Sequence, residues 1–461
     1  MSSGSAGIAR ALDRVTGTRP IPGNALTLHT DSARALKAML ALIGEAERWV
    51  HFENYIIRDD ATGSRFADAL SERAREGVRV RVLYDALGSW STSGAYWNRL
   101  RRAGAEVRAF NPFFHGRPFH LLRRDHRKLV VVDGDRAMVG GLCIGDAWAG
   151  DPSRGRQPWR DTMIGLRGPA AAGLDATFGR VWRRAGQPLP PDEFNGSPAE
   201  AGNTAVRVVE GVPDGARAWR AVGLFFTTAV ERLWLTDAYL VAPATLFAGL
   251  VDAARDGVDV RILMPGSTDI AVVRALTRVG YRDLLNAGVR LFEWRGPMLH
   301  AKTLIADRQW VRVGSSNINV SSLLANYELD VVVDDEALAT QMCEQFQRDT
   351  AASNEVVLVA RKLFPPRLTG AAATEPAPVH HQPSRYERTR SAMVTLRQVA
   401  GGLRRRLGWA AAALAAGMGV LLLLFPQVMS ITLAIGAFWL AVVFAWYSLS
   451  RRGATPSADV P

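Results

Sequence analysis

Cysteine is almost missing from this chain, with Cys143 and Cys343 the only two in 461 residues. Two thiols so far apart exclude a disulfide framework and carry no metal-ligand spacing, so reduced thiols of the cytosolic kind are expected. Acidic side chains are also in short supply, 44 against 56 Lys and Arg, which leaves a net charge of +12. A surplus of that size favours anionic partners, either nucleic acid or an acidic membrane surface. The first 22 residues contain Arg10 and Arg14 but no apolar run, so no secretory signal is expected there. The remaining composition, 48% hydrophobic and 22% charged, is that of a globular protein long enough for two or three domains with real cores.

Histidine is scarce too, with 8 in the whole chain. One of them opens the stretch 124–141, in which His126, Lys128 and Asp133 form the pattern His-x-Lys-x4-Asp ahead of a Gly140-Gly141 pair. Side chains alternate faces along an extended chain, so His126 and Lys128 point the same way, and Val130 to Val132 seat the strand in a core. An imidazole beside an ammonium suits a phosphate: the Lys binds oxygens, while the His attacks phosphorus or passes a proton. A single such pair is more often a solvated strand edge. Here there is a second copy, His300, Lys302 and Asp307, with the same spacing and a following Gly314-Ser315.

The repeat extends beyond the motif. Residues 50–57 read as a strand, 66–76 as a helix and 77–85 as a second strand; 233–240, 246–255 and 257–264 repeat that order. An Ala-Gly-strand unit then follows in each half, at 103–107 and 287–291. Alternating strands and helices predict an α/β sandwich in each half, with one site at a pseudo-two-fold interface between them.

The doubled motif resembles that of the phospholipase D superfamily, over roughly residues 23–350. Further matching pieces are Glu53-x-Tyr55, Tyr84-Asp85-x-x-Gly88-Ser89, Trp159-Arg160-Asp161, Gly314-Ser315-x-Asn317 and Asn326-Tyr327-Glu328. Within the superfamily the fit is best to the bacterial cardiolipin synthases. Two departures fall on the site: Cys143 stands where the family usually has Asn, and Asn319, Ser321 and Ser322 stand where it usually has Asp and Arg-Ser. The resemblance implies two tandem phospholipase D-like α-β-α sandwich halves, 23–185 and 204–364, after an N-terminal extension (1–22) and joined by a connector (186–203). Four prolines mark that connector as an exposed crossing.

The resemblance also implies two-step phosphatidyl transfer between phosphatidylglycerol molecules through a phosphohistidine, with release of glycerol. His126 is the expected nucleophile and His300 the acid, with Lys128, Lys302, Ser315 and Asn317 on the phosphate oxygens. The acceptors that fix the far imidazole nitrogens are then Asp161, 35 residues after His126, and Glu328, 28 residues after His300. Asp133 and Asp307 complete the two catalytic triplets, and by position they orient the strand ends. Neither a metal nor another cofactor is expected, because two lysines bring the positive charge. Hydrolysis of phospholipids is the alternative reaction. A nuclease would use the charge but not the tail, and no nucleic acid partner is expected. A non-catalytic adaptor would be expected to have lost part of the doubled set.

The basic run 99–128 reads either as a solvated face or as an attractor of anionic head groups. After residue 364 the pattern changes. Residues 365–384 are rich in Pro and Ala, which predicts a flexible tether; 385–408 predict a basic amphipathic helix. Residues 409–425 and 428–449 are uncharged and apolar, 17 and 22 long, which predicts a transmembrane helical hairpin. Arginines precede and follow it, so both ends, including the tail 450–461, are expected on the cytoplasmic side of a bacterial inner membrane, facing anionic phospholipid.

Overall fold

Short β-branched runs separated by helices build two matching series of strands. The first is β1 (Ile21–His29), β2 (Trp49–Asn54), β3 (Arg79–Asp85), β4 (Glu106–Phe110), β5 (Lys128–Val132), β6 (Arg136–Gly140) and β7 (Met163–Arg167). The second is β8 (Thr204–Gly211), β9 (Arg232–Thr236), β10 (Asp259–Pro265), β11 (Arg290–Trp294), β12 (Thr303–Ala306), β13 (Trp310–Gly314) and β14 (Glu328–Asp334), with β15 (Ser353–Val356) added at the edge. This computed structural model describes residues 3–112, 123–193, 198–213, 215–269 and 271–358. The expected tether, amphipathic helix, membrane hairpin and tail lie outside the described residues. Among the described residues no helix is long and apolar enough to cross a membrane.

The spatial order is β1-β7-β6-β5-β2-β3-β4 in the first half and β8-β14-β13-β12-β9-β10-β11 in the second, the same path taken twice. In each half three strands run parallel, joined by helical crossovers such as Ala61–Arg75 and Ala244–Arg255, while the motif strand returns antiparallel beside them. That places His126 and His300 at the carboxyl ends of the parallel strands, where open α/β sheets bind ligands. The halves join at β1, which changes partner along its length. Ile21 and Asn24 pair with β8 across a register shift, and residues 25–29 pair with β7. One core then takes Val131, Val139 and Ile164 from the first half together with Val313, Leu329 and Val331 from the second.

Two segments differ from their expected form. The N-terminal extension includes a helix, Ser3–Thr16, that packs on helix Arg217–Thr228 and sends Leu12 into the second core. The connector is anchored rather than exposed throughout, since Pro191–Glu193 forms a 3-10 turn that buries Glu193. Glu193 meets His51 Nε2 at 3.1 Å, and Asp175 meets His51 Nδ1 at 2.5 Å. Burial alone would lower the His51 pKa, but the two carboxylates outweigh it and hold it above 6.5. Burial alone would raise that of Glu193, but His51 and Arg81 hold it at about 2.

The imidazolium's share of stability is complete below pH 6.5 and is lost as pH rises through its raised value; the Glu193 share is complete above pH 4.5 and is lost toward about 2. Substituting His51→Gln should therefore lower the melting temperature most between those limits. The gap to wild type should narrow on both sides when Tm is measured across pH.

Candidate active site

Each motif strand begins just after its histidine, and Lys128 and Lys302 are buried at the strand starts. His126 N donates to Tyr327 O at 2.9 Å, and His300 N donates to Arg160 O at 2.7 Å, so each histidine's backbone is fastened to the opposite half. The side chains do the same. His126 Nδ1 lies 3.0 and 2.9 Å from the two Glu328 oxygens, and His300 Nδ1 lies 2.7 Å from Asp161 Oδ2. Both acceptors are those expected, but their partners are exchanged: each histidine is held by the carboxylate of the other half.

Only 9% of His126 and 4% of His300 is exposed. Burial lowers the His126 pKa, with Glu328 pulling the other way; it lowers that of His300 to about 4, with the Lys302 charge adding to the effect. Glu328 and Asp161 are both held below the usual carboxylate range, because the facing imidazoles and the nearby lysines outweigh their burial. Each imidazole thus rests neutral, its Nδ1–H donating to an ionised carboxylate, which leaves the lone pair of the neutral ring on Nε2.

The two lysines face this pair. Lys128 Nζ donates to His126 O and Lys302 Nζ to His300 O, and their ammonium groups lie 5.1 and 5.8 Å from the ring centres of Tyr55 and Tyr239. The Lys302 charge acts on His126 and that of Lys128 on His300, across the halves. Burial and the neighbouring Lys128 lower the Lys302 pKa to about 8, against an upward pull from Asp161. Above that pH the ammonium is lost as well, so the fall of kcat/KM with rising pH should steepen beyond about pH 8. The limb in kcat should sit higher, since a bound phosphodiester favours the charged form. A pH profile of both constants checks this.

Several expected residues take other places. Asp133 and Asp307 do not reach the site. They stand in the left-handed region (φ +54 and +55) at the far strand ends, in the turns that begin the β5–β6 and β12–β13 hairpins. Asp133 accepts from the backbone N–H groups of Glu47, Arg48 and Trp49, and Asp307 from those of Val230, Glu231 and Arg232. Ser315 is consumed in positioning, because its Oγ donates to Glu328 Oε2 at 2.5 Å and accepts from Leu329 N. Asn317 is buried, and among the described residues its Oδ1 has no hydrogen-bond partner; its Nδ2 is the only side-chain group it has to offer a phosphate oxygen. Ser322 is the residue that spacing alone missed: its Oγ donates to Glu328 Oε1 and accepts from Asn317 N. Aromatic rings wall the site, with Tyr55 4.9 Å from His126, and Trp148, Trp159 and Tyr239 between 5.7 and 6.0 Å from His300.

Behind His126 the flanking residues form a second buried group. Glu53 lies against Asp125, and burial together with the Asp125 charge raises its pKa well above the usual range, so it keeps its proton. Arg127 is fully buried and donates to Glu210 at 3.1 Å. Arg124 pairs with Asp85, Arg108 with Glu106 and Arg99 with Asp68. Four arginines of the basic run 99–128 are therefore paired within the fold, while residues 113–122 of that run lie outside the described residues.

The sequence matches the family described as "Cardiolipin synthase, PLD-like domain" twice, over residues 39–146 and 225–350. Cardiolipin synthase A of Pseudomonas aeruginosa (strain UCBPP-PA14) is 35% identical over 351 residues, 75% of this chain and 71% of that one. Cardiolipin synthase of Geobacillus kaustophilus (strain HTA426) is 35% identical over 311 residues, 65% of this chain and 61% of that one. Among solved structures, phosphatidylserine synthase of Haemophilus influenzae Rd KW20 superposes with a TM-score of 0.60 at 13% identity, covering 76% of this chain and 92% of that one, a likeness of fold. With the duplicated match and these relatives, the chain belongs to the cardiolipin synthase family of phospholipase D-like proteins.

Proposed function

We propose that this enzyme is a phosphatidyltransferase that joins two phosphatidylglycerol molecules and releases glycerol. The crossed pair of imidazoles, each backed by a carboxylate of the other half and flanked by a lysine, is the observation that carries the reading. In the first step the bare Nε2 of His126 attacks phosphorus and the bond to the glycerol head group breaks. His300 gives a proton to the departing glycerol oxygen. In the second step the hydroxyl of another phosphatidylglycerol gives its proton to His300 and attacks phosphorus, and the phosphorus–nitrogen bond breaks. The substrate's anionic phosphate favours the imidazolium form that His300 needs as an acid. Lys128, Lys302 and the Asn317 amide hold the non-bridging oxygens as charge shifts.

Purified enzyme given labelled phosphatidylglycerol should yield cardiolipin and free glycerol in equal amounts. Phosphatidic acid in place of cardiolipin would instead mean hydrolysis, and no consumption of lipid would overturn the reading.

Residues 23–185 and 204–364 form the catalytic halves in this proposal, and 409–449 anchor the chain in the bacterial inner membrane with the site on the cytoplasmic side. The length and continuous apolarity of 409–425 and 428–449 support the anchor. A chain ending at residue 364 should turn over lipid in detergent micelles yet work poorly on vesicles. Loss of folding or of activity in both settings would make the tail part of the catalytic core.

A further inference from the structure

Eight large apolar side chains are exposed among the described residues, and five of them stand on segments fastened to the two histidines. Leu87 and Trp90, 41% and 71% exposed, project from the turn after β3. Asp85 Oδ1 accepts from Leu87 N and Gly88 N at 2.9 and 3.0 Å, while its Oδ2 accepts at 2.9 Å from Asp125 N, next to His126. In the same turn Ser89 Oγ donates to the carbonyl of Tyr55, whose ring touches His126.

On the second half Val320 is 55% exposed. It follows Asn319, whose Nδ2 donates to Tyr239 O at 3.1 Å, and the Tyr239 ring lies 6.0 Å from His300. Leu276 and Val279 stand on helix Ala271–Val279, and the loop before that helix is held by Tyr239 OH donating to Asp269 at 2.7 Å. The other three exposed side chains, Val230, Val357 and Leu358, lie at the opposite edge. There Val230 N is held by Asp307, at the end of β12 away from His300.

We infer that these five side chains form a rim by which the catalytic unit itself enters the lipid interface, with Leu87, Trp90 and Val320 leading. This inference rests on the transferase reading for its purpose, but its geometry does not. Three observations fit a bilayer as the occupant. An exposed Trp gains most at a boundary that is apolar at one end and wet at the other. Arg154, paired with Asp151, and Arg156 are exposed on the loop that leads to Trp159, whose ring lies 6.0 Å from His300, and supply cations of the kind that anionic head groups attract. A shallow recess lined by Ala238, Leu240, Met264, Val273 and Tyr281 adds apolar surface beside the helix that carries Leu276 and Val279. Insertion of the rim sets the buried imidazoles at phosphodiester depth, so that a lipid reaches them without leaving its leaflet.

The test uses the full chain in vesicles of phosphatidylglycerol and phosphatidylcholine, with an environment-sensitive fluorophore attached through W90C, V320C or V230C; the native Cys143 and Cys343 are buried. A nitroxide in the acyl region should quench positions 90 and 320 at least about threefold more than position 230, as expected of side chains seated in the interface. Equal quenching at all three overturns the rim. So does protection of positions 90 and 320 from aqueous iodide without nitroxide quenching, which would indicate a protein cover. In a second arm, Leu87→Ser, Trp90→Ser and Val320→Ser together should lower turnover of vesicle phosphatidylglycerol about tenfold and leave that of monomeric short-chain phosphatidylglycerol unchanged. An equal fall on both substrates, or none on vesicles, overturns the rim. Wild-type enzyme inactive on both substrates would sink the transferase reading, while the quenching still decides the rim.

Discussion

Alanine in place of either His126 or His300 is expected to reduce turnover at least about a hundredfold, within the roughly 10²–10⁴ that a lost acid–base group costs. Both imidazoles sit in one buried site, each tied by backbone and side chain to the other half. If one forms the covalent bond while the other moves the proton, neither performs half of the reaction alone. The double substitution should then be no worse than either single one. Steady-state release of labelled glycerol measures all three variants. Residual activity in a single variant above about a hundredth of wild type would mean that the sites act separately. Quenched wild-type enzyme should carry acid-labile phosphate on His126, and phosphate on His300 would reverse the two roles.

Removing the charge from either acceptor should cost almost as much, and the pattern of rescue should reveal which histidine each one serves. Glu328→Gln and Asp161→Asn keep the shapes but no longer hold the imidazole tautomer or balance a forming imidazolium, so each should lower turnover by roughly 10²–10³. A phosphodiester with an acidic leaving group needs no proton donor in its first step. Because Asp161 backs His300, the expected acid, Asp161→Asn should recover the rate of intermediate formation on such a substrate. Glu328 backs His126, the expected nucleophile, so Glu328→Gln should not recover. Pairing within each half predicts the opposite, and burst kinetics with a chromogenic phosphodiester separate the two.

Much of this arrangement was legible in the chain because the repeat is local. His126 and Lys128, like His300 and Lys302, are two residues apart, and strand alternation alone places each pair on one face. The carboxylates Asp161 and Glu328 were legible as residues but not as partners. Their contacts span 139 and 202 positions and depend on two strand series sharing one core, which no local spacing encodes. Ser322 was visible only as the second residue of the pair that stands at the family's Arg-Ser; its hydroxyl matters because the π-helical turn Ser321–Ala325 brings it onto Glu328. Asp133 and Asp307 belong to the motif by spacing, yet strands of five and four residues carry them away from the histidines and into hairpin turns. The run of arginines resembled a surface attractor because sequence does not reveal that Asp85, Glu106 and Asp68 stand ready to pair with it.

The exchanged carboxylates bear on how such a protein could have arisen. A single half owns a histidine, a lysine and a carboxylate, but the carboxylate cannot serve its own histidine. An ancestral half would have been complete chemically only as a dimer, with activity rising as the square of a dilute subunit's concentration. Fusing two copies through a segment like 186–203 replaces that dependence with a fixed local concentration, of millimolar order for short tethers. Once fused, the copies are free to diverge, as Cys143 and Asn317 have, but only in step. A change that spoils the carboxylate of one copy silences the histidine of the other.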